Sequence, residues 1–176
     1  MKKNIALVGF RCTGKTAVGQ ALAKKTGMTF RDADVVIEER AGKTIAAIFR
    51  DDGEPAFRAV EVDVTTDLCA ADGLIIATGG GAVMNPQNVS NIRHHCFAVL
   101  LEADPVTILR RMNRDPETER MRPALTDLDQ QKEIEHLLEV RAESYRSASD
   151  IRVDTSAISI DEVVDIIVRE FESSTT

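Results

Sequence analysis

Gly9-Phe10-Arg11-Cys12-Thr13-Gly14-Lys15-Thr16 reads G-x-x-x-x-G-K-[ST], and the residues on either side of it decide the fold. Upstream, Ile5-Ala6-Leu7-Val8 is a short apolar run suited to a buried parallel strand. Downstream, Val18, Ala21 and Leu22 recur at helical spacing, and Gly27 suits the position just past a helix end. Strand, glycine loop and helix together make the pattern a phosphate site rather than a string match. Gly9 and Gly14 let the backbone turn tightly, so that successive N–H groups and the helix N-terminus converge on one anion. Cys12, Thr13, Gly14 and Ala17 complete the cradle, Lys15 reaches the β and γ phosphates of a nucleotide, and the Thr16 hydroxyl is an expected Mg²⁺ ligand.

The wider composition limits the partners. At 176 residues the chain is expected to be one domain with a proper core. Aromatic residues are only 4% and Trp is absent, so that core must be built from Val, Ile, Leu and Ala. A net charge of −7 argues against a general nucleic-acid binder, which carries a basic face. No apolar run approaches a membrane span, and Lys2-Lys3 leads straight into the first strand without a signal segment. Cys12, Cys69 and Cys96 are odd in number and lack metal-ligand spacing, as expected of reduced thiols. The expectation is a cytoplasmic protein, a monomer, acting on a small molecule and not on nucleic acid or membrane.

Further apolar strands are expected at Thr29–Arg31, Leu74–Ala77, Phe97–Leu101 and Ile151–Val153. Between them the spacing predicts helices at Thr16–Thr26, Val35–Ala41, Thr44–Arg50, Pro55–Ala71, Pro86–Arg93, Pro105–Met112, Gln130–Ser147 and Ile160–Glu172. Asn85-Pro86 and Asp104-Pro105 each set a capping side chain before a proline at the first helical position, and Ser159-x-x-Glu162 is a capping box. Alternating strands and helices imply an α/β fold: three layers, a parallel sheet of about five strands with helices on both faces. Residues 113–127 are polar, contain two prolines and show no periodicity, which reads as a mobile lid. Ligands in such sheets gather at the carboxyl ends of the strands.

Several charged residues sit where a core should be. Ile134, Leu137, Leu138 and Tyr145 share a helix face, and Arg141 falls in the middle of it. Phe57, Val60, Val64 and Leu68 share another, which Glu61 enters, three residues from Arg58. A half-buried carboxylate there makes sense if it fixes Arg58 for a ligand, although snorkelling is the competing account for Arg141. Two arginines held in this way suit bidentate binding of an anionic substrate. Asp32 and Asp34, at i and i+2, point to the same face if both lie in the strand, one near Mg²⁺ and one near an acceptor hydroxyl. Capping of the next helix is the competing role for either acid. Gly79-Gly80-Gly81 is a costly run for a simple turn and suits close approach of a substrate to bare backbone. Arg122, beside Pro123, is placed to close over a transferring phosphoryl group.

These residues together resemble the shikimate kinase family. The resemblance is carried by Gly9-x4-Gly14-Lys15-Thr16, by Asp32-x-Asp34, and by Ile48-Phe49-x-x-x-Gly53-Glu54-x-x-Phe57-Arg58-x-x-Glu61. It continues through Gly79-Gly80-Gly81-Ala82-Val83, Arg122-Pro123, and the late helix with Arg141 and Tyr145. It implies an ATP- and Mg²⁺-dependent enzyme that phosphorylates the 3-hydroxyl of shikimate. Lys15 would contact the phosphates, with Thr16 and Asp32 supporting the metal. Asp34 would bind the substrate hydroxyls as the candidate base, Arg58 and Arg141 would bind the carboxylate, and Gly79, Gly80 and Gly81 would line the pocket. Arg122 would belong to the lid, Arg111 would pack against adenine, and residues 34–61 would form a substrate-binding segment. Two alternatives stay open from the residues themselves: a P-loop kinase for another hydroxylated acid or nucleotide, and a catalytically silent binding module.

Overall fold

All five residues of strand β1 (Asn4–Val8) are buried, because β1 lies at the centre of a sheet covered on both faces. Ala6 and Val8 point into one core and Ile5 and Leu7 into the other, the period-two alternation of a strand serving two helical layers. The computed structural model describes residues 2–114 and 129–174. The remaining strands are β2 (Thr29–Asp32), β3 (Leu74–Ala77), β4 (Cys96–Glu102) and β5 (Ile151–Asp154). Every pairing is parallel and the order is β2-β3-β1-β4-β5. β1 therefore sits between β3 and β4, and the chain passes from one side of β1 to the other between those two strands, the arrangement that opens a crevice at the carboxyl edge.

The helices are α1 (Lys15–Thr26), α2 (Ala33–Ala41), α3 (Ile45–Asp51), α4 (Gly53–Ala70), α5 (Pro86–His95), α6 (Pro105–Met112), α7 (Gln130–Ala148) and α8 (Ile160–Ser174). A short 3-10 turn covers Ala82–Met84. Each expected strand and helix is present, with ends shifted by two residues at most. The caps form as read. Asn85 accepts from the Gln87 N–H at 2.8 Å, Asp104 accepts from the Thr107 N–H at 2.8 Å, and Ser159 and Glu162 exchange bonds in a capping box. Among the described residues no helix is long and apolar enough to cross a membrane.

One core lies between the sheet and α2 to α7, with Phe57, Ile37 and Ile108 fully buried in it. The other joins the sheet to α1 and α8 through Leu22, Val163 and Ile167. The approach of α1 to β2 depends on Gly19, where a Cβ would lie 2.3 Å from the Phe30 ring. Asn4 is a buried polar residue at the start of β1, 1% exposed. Its amide donates to the Cys69 and Ala71 carbonyls and accepts from the Leu74 N–H, fastening the α4–β3 connection to the central strand.

The structure corrects one expectation. Asp32 and Asp34 do not share a strand face, because β2 ends at Asp32 and Asp34 lies in the first turn of α2. The cause is local: the Asp32 side chain accepts from the Asp34 N–H at 3.1 Å and starts the helix one residue later.

Candidate active site

The loop between β1 and α1 takes a shape that few residues tolerate. Gly9 and Gly14 have φ of 143° and 102°, and Cys12 is the one non-glycine residue with positive φ (60°) among the described residues. A Cβ at Gly9 would lie 2.3 Å from the Leu101 carbonyl oxygen, so the loop can cross the end of β4 only as glycine. Thr13, 1% exposed, turns inward and donates from its hydroxyl to the Phe10 carbonyl at 2.9 Å. Lys15 folds over the loop and donates to the Gly9 and Phe10 carbonyls at 2.9 and 2.7 Å. No side chain caps α1, whose first N–H groups follow Gly14 directly, so the helix N-terminus is open to an anion.

Beside the loop, the Thr16 hydroxyl donates to Asp32 at 3.1 Å. Burial pushes the Asp32 carboxyl above the usual aspartate value, and the neighbouring Asp34 charge adds to it. Bonds from Thr16 and the Asp34 N–H, and the charge of Lys15, pull the other way without outweighing it. A hydroxyl and a desolvated carboxylate at this spacing are hard oxygen donors short of positive charge.

The third group surrounds the glycine run after β3. Glu61 is 1% exposed and accepts from Arg58 at 2.8 Å, while Glu54 takes two further bonds from the same guanidinium at 3.0 and 3.2 Å. Burial works against the Arg58 charge, but the two carboxylates outweigh it and hold the guanidinium protonated. The fork lies against Gly81, where a Cβ would stand 3.2 Å from Nη1. From the other side Arg141 donates to the Gly80 carbonyl at 3.2 Å, and the buried Tyr145 hydroxyl donates to the same oxygen at 2.5 Å. A Cβ at Gly80 would lie 3.3 Å from the Arg11 nitrogen of the phosphate loop. Gly80 and Gly81 are therefore tightly packed rather than conformationally special, since neither has positive φ and an added Cβ would press on Arg58 or the phosphate loop.

The fourth group lies on the far side of α1. A cavity of about 230 Å³ opens between Thr13, Gly14, Ala17, Arg111, Thr155 and Ile158. Arg111 donates to the Cys12 carbonyl at 3.2 Å and to the Thr155 hydroxyl and carbonyl at 2.9 and 2.7 Å.

Gly9 to Ala17, Asp32, Asp34, Gly79 to Gly81 and Thr155 all follow the carboxyl ends of strands, while α4, α6 and α7 bring in Arg58, Arg111 and Arg141. Of the lid expected at 113–127, only Asn113 and Arg114 are described, and Arg122 lies outside the described residues. Sequence reasoning missed Thr155, a lone threonine with no periodicity around it. It also missed Glu54 as a second acid on Arg58, although the i, i+4 spacing carried that signal.

Comparison with known proteins agrees with this geometry. The family description "Shikimate kinase" matches residues 11–172. A shikimate kinase of Syntrophus aciditrophicus is 38% identical over 97% of this chain and 92% of its own. One of Pelotomaculum thermopropionicum is 40% identical over 94% of each. Among solved structures, the shikimate kinase of Acinetobacter baumannii in complex with shikimate superposes with a TM-score of 0.90 at 31% identity, covering 99% of this chain and 95% of that one.

Proposed function

The chain belongs to the shikimate kinase family, and on that premise we propose that it transfers the γ-phosphoryl group of ATP to the 3-hydroxyl of shikimate, releasing shikimate 3-phosphate and ADP. The observation that carries this reading is the meeting of two guanidiniums, Arg58 and Arg141, at Gly80–Gly81, directly against the phosphate loop. An anion clamp abutting a phosphate cradle suits an acidic acceptor and a nucleotide donor held face to face.

Phosphoryl transfer asks mainly for alignment and for neutralisation of charge on the transferring oxygens. Arg58 and Arg141 would grip the acceptor carboxylate, each offering a planar fork. Gly79, Gly80 and Gly81 would let the ring lie on bare backbone. Asp34, in the first turn of α2, would orient the acceptor hydroxyl and take its proton. Lys15 would leave the Gly9 and Phe10 carbonyls for the β and γ phosphates, with the α1 N-terminus beneath them. Arg111 would border the base, and Arg122 is assigned a second positive charge at the transferring group. Residues 1–176 would form a single kinase domain, with 34–61 as its acceptor-binding segment. A cytoplasmic monomer belongs to the same proposal.

Mg²⁺ fits the residues present: the Thr16 hydroxyl and the Asp32 carboxylate would hold it, directly or through water, and a cation there would relieve the desolvated Asp32. When bound it would neutralise charge on the phosphate oxygens. This predicts an opposition between stability and activity. Because the folded value of Asp32 lies above the unfolded one, its ionised form opposes folding. Stability from this group falls as pH rises from the unfolded value through the folded one. Asp32→Asn keeps the cap and removes the charge. In calorimetric scans near pH 7 without metal, this variant is expected to melt no lower than the parent, while most Mg²⁺-dependent turnover is lost. A drop of more than about 4 °C, roughly 1 kcal/mol for a chain of this size, would contradict the account.

The direct test of function is a coupled ADP-release assay with shikimate, with gluconate, with a nucleoside monophosphate and with no acceptor. Turnover that depends on shikimate is expected. Preference for either other acceptor would overturn the assignment, and ATP binding with no product from any of them would indicate a silent binding module.

A further inference from the structure

We propose that Thr155 is a positioning residue for the nucleotide, whose hydroxyl locks the Arg111 guanidinium and the phosphate loop into one rigid unit, so that base and phosphates are recognised together. The inference rests on the ATP-dependent reading above and names a residue to which that reading gave no role.

Thr155 is the first residue after β5 and is 4% exposed. Its hydroxyl oxygen stands 2.9 Å from Arg111 Nη1, 3.0 Å from the Thr13 carbonyl and 3.0 Å from the Glu102 carbonyl. A hydroxyl has one proton to give and lone pairs to receive. It therefore accepts from Arg111 and donates toward the two carbonyls. Glu102 already receives the Thr155 backbone N–H at 2.8 Å, so the Thr13 carbonyl is the one that depends more on the hydroxyl. The Thr155 carbonyl accepts from Arg111 Nη2 at 2.7 Å, and the Cys12 carbonyl accepts from Nη1 at 3.2 Å. One buried residue thus bonds to the phosphate loop, the end of β4 and the arginine of the cavity.

The consequence lies in the plane of Arg111. Donors on both of its terminal nitrogens are taken by Thr155 and Cys12, so the guanidinium cannot rotate without breaking bonds on two loops. A planar cation held by its edge leaves its flat faces for stacking on a base. It also borders the same cavity as Thr13, Gly14 and Ala17, at the start of the phosphate-binding helix. A wrongly placed base would therefore strain the phosphate loop through Thr155. The plain structural account, a threonine satisfying carbonyls at a sheet edge, predicts a general loss of stability with no preference between substrates.

The two accounts separate in steady-state kinetics on Thr155→Val, which keeps the shape and removes the hydroxyl, and Thr155→Ser, which keeps the hydroxyl. The valine variant is expected to raise KM for ATP about tenfold, the scale of one lost hydrogen bond to a charged group. Its kcat and its KM for shikimate should stay within about threefold, and serine should restore most of the ATP affinity. The proposal is overturned if KM for ATP changes less than about twofold, if both KM values rise together, or if serine fails to rescue. In an Arg111→Ala background the valine change should add less than about twofold, and a full further tenfold would also overturn it. Should the valine variant not fold, Thr155→Ala carries the same comparison. If the parent released no ADP with shikimate, the functional reading would fail on its own. Calorimetry of ATP binding to parent and variant would then decide this inference by the same tenfold criterion.

Discussion

Lys15→Ala is expected to cut kcat by about 10²–10³ or more while shifting the melting temperature by only a few degrees. The ammonium bonds to the Gly9 and Phe10 carbonyls of the loop, so its removal would take a positive charge from the proposed site of the transferring phosphates. The loop does not need that charge for its shape. Gly9 and Gly14 set its turns, the Thr13 hydroxyl bonds to Phe10, and Thr155 bonds to Thr13. The loss should therefore appear in turnover rather than in folding. Lys15→Arg should not restore activity, because a broad planar fork cannot occupy the place of a compact point charge inside a loop this tight. Coupled ADP release at saturating shikimate, with melting curves alongside, checks both halves. A variant that kept turnover within about tenfold would remove Lys15 from the chemistry.

The sheet was legible because parallel strands covered on both faces are nearly continuous apolar runs, and each run here ends in a turn or a cap with its own chemical signature. Phe97–Leu101 could be read without reference to any neighbour, as could the capped starts at Asn85 and Asp104. Asp34 was misplaced by periodicity, and the competing capping role holds for Asp32, whose side chain accepts from the Asp34 N–H. Competition of this kind between a local cap and a strand continuation depends on geometry at one residue, and composition does not record it.

Within the site, the legible residues were those that violate a pattern. Glu61 stands out on an apolar stripe, and burial at 1% exposure with Arg58 at 2.8 Å explains why. Arg141 stands out in the same way, and its bond to Gly80 answers the competing idea that it only snorkels. Gly80 and Gly81 were legible as a costly run, and an added Cβ at either would press on Arg58 or the phosphate loop, while the approach of a substrate to this backbone stays with the proposal. Thr155 breaks no pattern. Its importance comes from partners at positions 13, 102 and 111, which only the folding of the sheet brings together.

Arg58→Ala should raise KM for shikimate by about 100-fold, near 3 kcal/mol, with KM for ATP within about threefold. The same change should also destabilise the fold, because Glu61 is a buried carboxylate that loses its guanidinium partner. Breaking a buried pair from one side costs about 3–5 kcal/mol, and the partial exposure of Arg58, 28% for its side chain, argues for the lower part of that range or below. Loss of affinity and loss of stability would then be confounded in the single variant. Arg58→Ala combined with Glu61→Gln separates them. The neutral amide no longer requires a cation, so melting temperature should recover most of the way, while affinity for shikimate should not. Arg58→Lys should behave more like alanine than like arginine, since Nη1 serves Glu61 while Nε and Nη2 serve Glu54, a division that one ammonium cannot reproduce. Recovery of shikimate affinity in the double variant would mean that Arg58 acts on the fold alone, and the carboxylate clamp would then rest on Arg141 without it.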